Sequence, residues 1–271
     1  MFITELRRFL KSAGIIPNRK LGQSFLVNSY IASRIAEEVS TSGSVLEIGP
    51  GFGALTEKLI GRCGSLSAVE ISPEMVDVLR KRFKDEALSV TRGDILSVNP
   101  ETLPGFPFHT VAGNLPYSIS SPILFRMLEE GFDQVQKAVL MLQREVAIRL
   151  STLDGGKQYG KLALKIWPYY TVRTLLDADP EDFYPAPVVY SRVVVLEKRT
   201  EPMVSRELFS EFRRIVSISF SSRRKTILNN LKPVLGRDQS LEILARTGID
   251  TGLRAEQIKP EMFVRLAENL Q

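Results

Sequence analysis

The sequence has very little histidine and cysteine, with only His109 and Cys63 among its 271 residues. A single cysteine excludes an internal disulfide framework and is typical of a reducing compartment. A single histidine excludes an HExxH zinc motif, and we expect no metal site. No run of about 18 apolar residues lacks a charge, which argues against a membrane span. Arg and Lys interrupt the N-terminal apolar positions too early for a secretory signal. We therefore expect a cytoplasmic protein.

The overall composition is that of an ordinary globular protein. Hydrophobic residues make up 44% of the chain and charged residues 25%, which is enough to build a large core. Lys and Arg together number 36 against 31 for Asp and Glu, giving a net charge of +5. This excess favours an anionic partner without identifying it.

Short β-rich runs alternate with helical patterns through about residue 200, which predicts an open, mostly parallel α/β sheet. The predicted strands are Ser44–Ile48, Ser65–Ile71, Leu88–Arg92, His109–Asn114, Lys137–Gln143 and Val188–Glu197. The predicted helices are Leu55–Arg62, Pro73–Phe83 with Ser72 as N-cap, and Pro122–Glu130 with Ser121 as N-cap. From Ser205 onward the apolar spacing is helical. We expect an α/β domain in residues 1–200, with a basic N-terminal segment, and a small helical domain in residues 201–271, divided at the linker Lys198–Pro202.

A glycine-rich turn follows the first predicted strand, in the segment VLEIGPGFGALT. Gly49 and Gly51 allow the backbone to turn sharply and to approach a ligand closely. Gly49, Gly51 and Ala54 also satisfy the dinucleotide-binding spacing, so the turn alone does not identify the ligand.

Three acidic residues follow or end the first three predicted strands: Glu47, Glu70 and Asp94. In a parallel sheet they point into the crevice beyond the carboxyl ends of the strands. Three carboxylates would repel a pyrophosphate but attract the sulfonium and ammonium of S-adenosylmethionine. Glu70 is placed to accept the ribose hydroxyls and Asp94 the adenine amino group. The leading hypothesis is a methyltransferase that uses S-adenosylmethionine, and the alternative is a nucleotide-dependent dehydrogenase.

The fourth predicted strand ends in the segment GNLPYSISSPIL, which is the most informative part of the sequence. Methyl transfer to an adenine amino group requires acceptors that hold its hydrogens, because the nitrogen lone pair is delocalised into the ring. The Asn114 side-chain oxygen and the Leu115 carbonyl, held by Pro116, can serve as these acceptors. Tyr117 offers a ring face on which an extruded base can stack. The motif predicts catalysis by alignment and charge stabilisation rather than by a strong base.

The whole set of motifs resembles the bacterial small-subunit rRNA adenine dimethyltransferases, known as KsgA or RsmA. The resemblance covers residues 18–269 and rests, in order, on GQSFL, EIGPGFGALT, VEIS, GDIL, GNLPYSISSPIL, LQREVAIRL, YGKLAL, FYPAPVVYS, FSSRRKTILNNL and RAEQI. It implies a Rossmann-like class I S-adenosylmethionine methyltransferase domain followed by a helical RNA-binding domain. It also implies dimethylation of two adjacent adenosines in the 3′-terminal hairpin loop of 16S rRNA, with S-adenosylmethionine as cofactor, during small-subunit biogenesis.

The resemblance also assigns site residues. The implied cofactor site consists of Gln23, Ser24, Leu26, Gly49, Gly51, Glu70, Ile71, Asp94, Ile95 and Asn114. The implied catalytic set is Asn114, Leu115, Pro116, Tyr117 and Phe183, with Phe183 holding the target base opposite Tyr117. The sequence departs from the family at three positions: Ser24 replaces Asn or His, and Val188 and Tyr190 replace Lys and Asp.

Six basic residues are predicted to contact RNA phosphates without reading bases. The predicted contacts are Arg19, Lys20, Arg144, Arg223, Arg224 and Lys225. The partner that the resemblance implies is 16S rRNA within the 30S subunit or its precursor. A monomer is expected, because no long exposed apolar stripe is evident.

Two other functions stay open on the sequence. One is an adenine methyltransferase with another target, either large-subunit rRNA or DNA. The other is a non-catalytic ribosome-assembly or RNA-binding factor that retains the fold. The intact Asn114–Tyr117 motif and the acidic crevice favour an active enzyme.

Overall fold

The computed structural model describes residues 2–15, 17, 24–39, 42–128 and 131–270. Within these residues the strands are β1 (Phe25–Leu26), β2 (Ser44–Ile48), β3 (Ser65–Glu70), β4 (Leu88–Arg92), β5 (Thr110–Asn114), β6 (Lys137–Gln143), β7 (Tyr170–Ala178), β8 (Phe183–Tyr184) and β9 (Ser191–Lys198). The α-helices there are α1 (Phe2–Ser12), α2 (Ser29–Glu38), α3 (Thr56–Leu59), α4 (Pro73–Arg82), α5 (Ser120–Arg126), α6 (Arg144–Ser151), α7 (Lys161–Ile166), α8 (Arg206–Ser219), α9 (Ile227–Leu235), α10 (Arg237–Thr247) and α11 (Pro260–Glu268). In this part of the chain, no helix combines the length and the apolar character needed to cross a membrane.

Seven strands form one mixed sheet, in the order β4-β3-β2-β5-β6-β9-β7 among the described residues. The pairs β3–β4, β2–β3, β2–β5 and β5–β6 are parallel, and β6–β9 is antiparallel. The predicted open, mostly parallel α/β sheet is therefore confirmed. The chain order reverses beside β2, so the carboxyl ends of β2, β3 and β5 border a crevice of the kind in which α/β proteins bind ligands.

The central strands are buried because they are apolar on both faces. Val45, Leu46 and Ile48 of β2 are buried, and so are all five residues of β6 from Ala138 to Leu142. A strand covered on both faces has a continuous apolar run rather than an alternating pattern. Glu47 is therefore an exception, a carboxyl group inside an apolar strand.

Local signals set the ends of the helices that flank the crevice. The Ser72 hydroxyl accepts a hydrogen bond from the Met75 N–H, and Pro73 occupies the first turn of α4, as predicted. The predicted helix Leu55–Arg62 is a single turn, Thr56–Leu59. Gly61 has a φ of +75°, a left-handed conformation that ends the helix early.

The helix after the Asn114–Tyr117 motif begins earlier than predicted. It spans Ser120–Arg126 rather than Pro122–Glu130, and Ser121 is not its N-cap. The Ser120 hydroxyl instead donates to the Pro116 carbonyl at 3.1 Å, so this serine stabilises the turn that precedes the helix. Residues 129 and 130 lie outside the described residues.

Four strands of the seven-stranded sheet differ from prediction. The strand β7 was not predicted, although Tyr170–Ala178 is rich in strand-forming residues. The last predicted strand, Val188–Glu197, begins only at Ser191 because Val188 lies in a loop and is 96% exposed. The strand predicted to start at His109 starts at Thr110, and the one predicted to end at Ile71 ends at Glu70.

The chain forms two compact units. The first comprises Met1–Ala147 and Val172–Lys198, and the second comprises Ile148–Thr171 and Arg199–Gln271. The sequence division at residue 200 placed residues 148–171 in the α/β domain, whereas their contacts place them in the helical unit. The reason is that Tyr159 is fully buried in that unit, where its hydroxyl donates to the Ile258 carbonyl at 3.0 Å.

Candidate functional site

A cleft of about 270 Å³ lies at the carboxyl ends of β2, β3 and β5 in the first unit. Most of the residues predicted for the cofactor and catalytic sites line it: Ser24, Leu26, Gly49, Gly51, Glu70, Ile71, Asp94, Ile95, Asn114, Leu115, Pro116 and Tyr117. Gln23 lies outside the described residues. Phe183, which was expected to hold the target base, does not line the cleft: it is 3% exposed and packs in the hydrophobic core, where it pairs with the cleft residue Leu26.

The glycine turn and Glu70 form one hydrogen-bonded unit. The Gly51 N–H donates to Oε2 of Glu70 at 3.0 Å, and the Ser72 N–H donates to Oε1 at 2.9 Å. Gly51 has a φ of +56°, and a Cβ there would lie 3.0 Å from the Phe25 ring. A side chain at this position would therefore be strained and crowded. The two backbone donors fix the carboxylate at the end of β3.

Burial and hydrogen bonding act in opposite directions on Glu70. The residue is 7% exposed, and burial raises the pKa of its carboxyl group by more than the Ser72 and Gly51 N–H groups lower it. The two carboxylate oxygens have four lone pairs between them, more than the backbone N–H groups that act on them can occupy. Glu70 can therefore accept further hydroxyl groups on the cleft side.

Asp94 lies next to Glu70 through the backbone. The Gly93 N–H donates to the Glu70 carbonyl at 2.9 Å, and Oδ1 of Asp94 accepts from the Leu96 N–H at 2.9 Å. The Asp94 side chain thus accepts a hydrogen bond from the backbone two residues further along its own loop. Such a local bond commonly holds a short acidic side chain in one rotamer. The arrangement places two fixed carboxylates, Glu70 and Asp94, on one wall of the cleft.

Glu47 differs from the other two acids. It is 1% exposed, and the Thr56 hydroxyl donates to its Oε2 at 2.7 Å. Burial, together with the nearby charge of Glu70, raises the pKa of Glu47 to about 8 against the lowering effect of Thr56. Glu47 is therefore mostly neutral at pH 7. The sequence-based argument from three negative charges is wrong on this point, since its tertiary surroundings keep one of the three protonated.

Asn114 is the last residue of β5 and is held at both its backbone and its side chain. Its Nδ2 donates to the Ser24 carbonyl at 3.0 Å, and the following Leu115 N–H donates to the Met141 carbonyl at 3.1 Å. Because the amide nitrogen is directed at Ser24, the amide oxygen is the end that can accept a hydrogen from a ligand.

Tyr117 is anchored by a residue that the sequence interpretation did not assign to the site. Its hydroxyl lies 2.6 Å from the hydroxyl of Ser191, the first residue of β9. Burial raises the pKa of Tyr117. Ser191 is the last residue of the motif FYPAPVVYS, and its place in that motif could have indicated a role in the site. Its contact with Tyr117 could not be predicted, because the two residues meet only in the folded chain.

Ser24, one of the three departures from the family, makes two hydrogen bonds in the structure. Its hydroxyl donates to the Pro185 carbonyl at 2.7 Å, while its own carbonyl accepts from Asn114. Ser24 therefore links the loop before β1 to the loop after β8 and to the end of β5. The other two departures, Val188 and Tyr190, are exposed side chains in the loop after β8.

The predicted RNA contacts have different surroundings. Arg144 is half exposed, and its Nε lies 3.7 Å from Oδ2 of Asp177. Arg224 and Lys225 are exposed. Arg223 donates to the backbone carbonyls of Lys157 and Tyr159. Arg223 therefore has a structural role in the second unit, in addition to the RNA contact predicted for it. Arg19 and Lys20 lie outside the described residues.

Comparison with known proteins identifies the family. The family model described as "Ribosomal RNA adenine dimethylase" matches residues 16–271. The chain belongs to the ribosomal RNA adenine dimethylase family. It is 40% identical over 270 residues to "Ribosomal RNA small subunit methyltransferase A" of Geobacter sulfurreducens, covering 96% of this chain and 98% of that one. It is 37% identical to the protein of the same name from Moorella thermoacetica, over 97% of this chain and 95% of that one.

Two solved structures extend the family likeness to the fold. A dimethyladenosine transferase from Plasmodium falciparum is 26% identical with a TM-score of 0.76, covering 89% of this chain and 95% of that one. The 23S rRNA methyltransferase ErmE is 28% identical with a TM-score of 0.70, covering 91% and 99%. The fold is thus shared with a protein named for 23S rRNA, whereas the sequence relatives are named for the small subunit, so the fold alone does not select the target.

Proposed function

We propose that this dimethylase transfers methyl groups from S-adenosylmethionine to the exocyclic amino groups of two adjacent adenosines in the 3′-terminal hairpin loop of 16S rRNA. The substrate is 16S rRNA within the 30S subunit or its precursor, and the enzyme acts in small-subunit biogenesis. The observation that carries the proposal is the anchored amide of Asn114 in the same cleft as Glu70 and Asp94. The names of the relatives at 36–40% identity support the small-subunit target.

The cleft residues fit S-adenosylmethionine by the chemistry of their side chains. Glu70 has acceptor capacity for ribose hydroxyls, and Asp94 can accept from an adenine amino group. Leu26, Ile71 and Ile95 supply apolar walls. When bound, S-adenosylmethionine supplies an electrophilic methyl group. Two fixed carboxylates also favour a ligand that carries cationic groups over a pyrophosphate, which argues against the dehydrogenase alternative.

Asn114 and Tyr117 would hold the target adenine. The Asn114 oxygen accepts a hydrogen of the amino group, and the Leu115 carbonyl is proposed as the second acceptor. These contacts draw the nitrogen toward tetrahedral geometry and stabilise the positive charge that develops on it. The Tyr117 ring, fixed by Ser191, provides the stacking face. No strong base is needed, since the methylated ammonium is acidic and loses its proton to water.

The test is transfer of radiolabelled methyl groups to 30S subunits, 50S subunits and duplex DNA, followed by nucleoside analysis, with Asn114→Ala as the control. We expect dimethyladenosine in 30S subunits alone and its loss in the variant. Label in 50S subunits would instead support the large-subunit alternative, to which the likeness with ErmE points. Tight 30S binding without transfer would support a non-catalytic assembly factor.

A further inference from the structure

Helix α1 lies outside residues 16–271, which the family model matches. Among the described residues, those that line the cleft come from other elements. The apolar face of α1 nevertheless has a specific partner. Leu6 and Leu10, one turn apart on this face, are 0% and 5% exposed. They pack in one hydrophobic cluster with Phe52 and Met75, which are also buried.

The partners of α1 are residues of the cleft. Phe52 and Met75 line it, and so does Phe25, which is partly buried and packs against the same cluster. We call Phe25, Phe52 and Met75 the apolar wall. Each residue of this wall contributes both to the surface of the cleft and to the packing of α1. The position of α1 and the shape of the cleft therefore depend on the same three side chains.

The contacts of Phe52 show how the wall and the helix are joined. The centre of its ring lies 5.5 Å from that of Phe9 of α1. The Arg82 guanidinium lies 5.3 Å from the centre of the Phe52 ring, and its Nη1 lies 3.9 Å from Oε2 of Glu5, also on α1. An aromatic contact, a cation–π contact and an ion pair thus connect α1 to this ring.

Two residues of the apolar wall are adjacent in the chain to polar anchors of the site. Phe52 directly follows Gly51, whose N–H donates to Glu70. Phe25 directly follows Ser24, whose carbonyl accepts the hydrogen bond that fixes the catalytic amide. Closely packed interiors are stiff and transmit small shifts. A displacement of either ring would therefore reach a polar anchor through a single peptide unit.

We propose that α1 is a positioning element of the cofactor site, in which Leu6 and Leu10 hold the apolar wall in the arrangement that binds S-adenosylmethionine. The inference rests on the proposed cofactor and adds a helix that supplies none of the proposed cofactor contacts. A wall that is fixed before the ligand arrives loses less conformational entropy on binding, so its packing raises the affinity. Without that packing the wall would relax into the vacated volume.

The test measures the dissociation constant of S-adenosylmethionine by titration calorimetry on full-length variants. Leu6→Ala removes part of the cluster, and we expect the constant to rise at least about 10-fold. Leu6→Met nearly conserves the side-chain volume and should stay within about threefold of wild type. Leu244→Ala is the matched control, because Leu244 is a fully buried leucine on α10 of the second unit. Its truncation should change the constant by less than about twofold.

Steady-state kinetics distinguish positioning from a general loss of structure. In Leu6→Ala the KM for S-adenosylmethionine should rise with the dissociation constant. The kcat and the KM for 30S subunits should change by less than about threefold, because α1 supplies no group to the reaction. Phe9→Leu removes the ring contact with Phe52 and is the milder variant if Leu6→Ala does not fold; we expect its dissociation constant to rise about threefold. Thermal unfolding shows which variants are folded.

Three results would overturn the inference. They are unchanged cofactor affinity in Leu6→Ala, an equal loss in Leu244→Ala, and weaker 30S binding by Leu6→Ala with unchanged cofactor affinity, which would make α1 an RNA contact instead. Wild-type protein that binds S-adenosylmethionine without transferring methyl groups would overturn the proposed function alone. Wild-type protein that does not bind S-adenosylmethionine would overturn both.

Discussion

The Asn114 amide nitrogen donates to the Ser24 carbonyl at 3.0 Å, and this bond joins segments 90 residues apart in the sequence. It determines which end of the amide is presented to a ligand. The Ser24 hydroxyl is itself bonded to the Pro185 carbonyl at 2.7 Å, so three segments of the chain fix one acceptor. An acceptor held in this way needs little reorganisation during reaction, which is the basis of electrostatic preorganisation.

Replacing Asn114 tests the role of its amide directly. Asn114→Asp retains an acceptor but places a carboxylate oxygen against the Ser24 carbonyl, so the side chain is expected to turn away. We expect the single-turnover rate of methyl transfer to 30S subunits to fall by about 10²–10³-fold in Asn114→Asp and Asn114→Ala. A variant that kept more than one-tenth of the wild-type rate would contradict this role. Circular dichroism and thermal unfolding check that both variants are folded.

Glu70→Gln tests the carboxylate that the glycine turn holds. Both oxygens of Glu70 accept backbone N–H groups, so an amide NH₂ would oppose either Gly51 or Ser72. A lost acceptor of this kind costs about 1–3 kcal/mol, which corresponds to roughly 10–100-fold in cofactor affinity. Titration calorimetry with S-adenosylmethionine measures the effect. Glu74→Gln is the matched control, because Glu74 is an exposed neighbour that accepts from the Ser72 hydroxyl at 2.6 Å. Equal losses in both variants would argue against a specific role for Glu70.

Glu47 predicts a pH dependence of stability. The pKa of Glu47 is about 8 in the folded protein and near 4.5 when the chain is unfolded. Between these values the folded state binds more protons than the unfolded state, so this group lowers the free energy of unfolding as pH rises from about 4.5 to 8. Each unit of pKa shift is worth about 1.4 kcal/mol.

Glu47→Gln removes that titration while keeping the size of the side chain and an acceptor for Thr56. We expect the variant to gain stability relative to wild type steadily from pH 5 to pH 8. Urea denaturation at pH 5, 6, 7 and 8 measures the difference. Curves that run parallel across this range would show that Glu47 is not protonated in the folded protein.

Arg223 and Arg224 are expected to behave differently although they are adjacent. Arg223 donates to the carbonyls of Lys157 and Tyr159, so Arg223→Ala should destabilise the protein by about 1 kcal/mol. Arg224 is exposed, and Arg224→Ala should weaken 30S binding and leave stability nearly unchanged. Thermal unfolding and a salt titration of 30S binding separate the two effects. A loss of stability in Arg224→Ala as large as that in Arg223→Ala would contradict this distinction.

Much of the fold follows from local patterns in the sequence. Three strands, Ser44–Ile48, Leu88–Arg92 and Lys137–Gln143, have the predicted bounds, because short runs of strand-forming residues ended by turn residues are a local signal. The Ser72–Pro73 start of α4 was likewise predictable from its capping residues. The prediction that Ser121 is the N-cap of α5 was wrong. The helix begins at Ser120, whose hydroxyl donates to the Pro116 carbonyl in the preceding turn. Nearby residues alone could not show which serine the turn would use.

The sequence by itself determined which residues can carry the chemistry: the glycine turn, the acids at the strand ends, and the Asn114–Tyr117 motif. Each of these signals is contained in a contiguous segment, so it can be recognised without knowledge of the fold. The tertiary structure alone decided the protonation of Glu47, the bond between Tyr117 and Ser191, and the role of Arg223. Burial, and contacts between segments about 65 to 90 residues apart, depend on how distant parts of the chain pack. No local pattern encodes that packing, and for this reason the environment of each site residue emerged only with the folded chain.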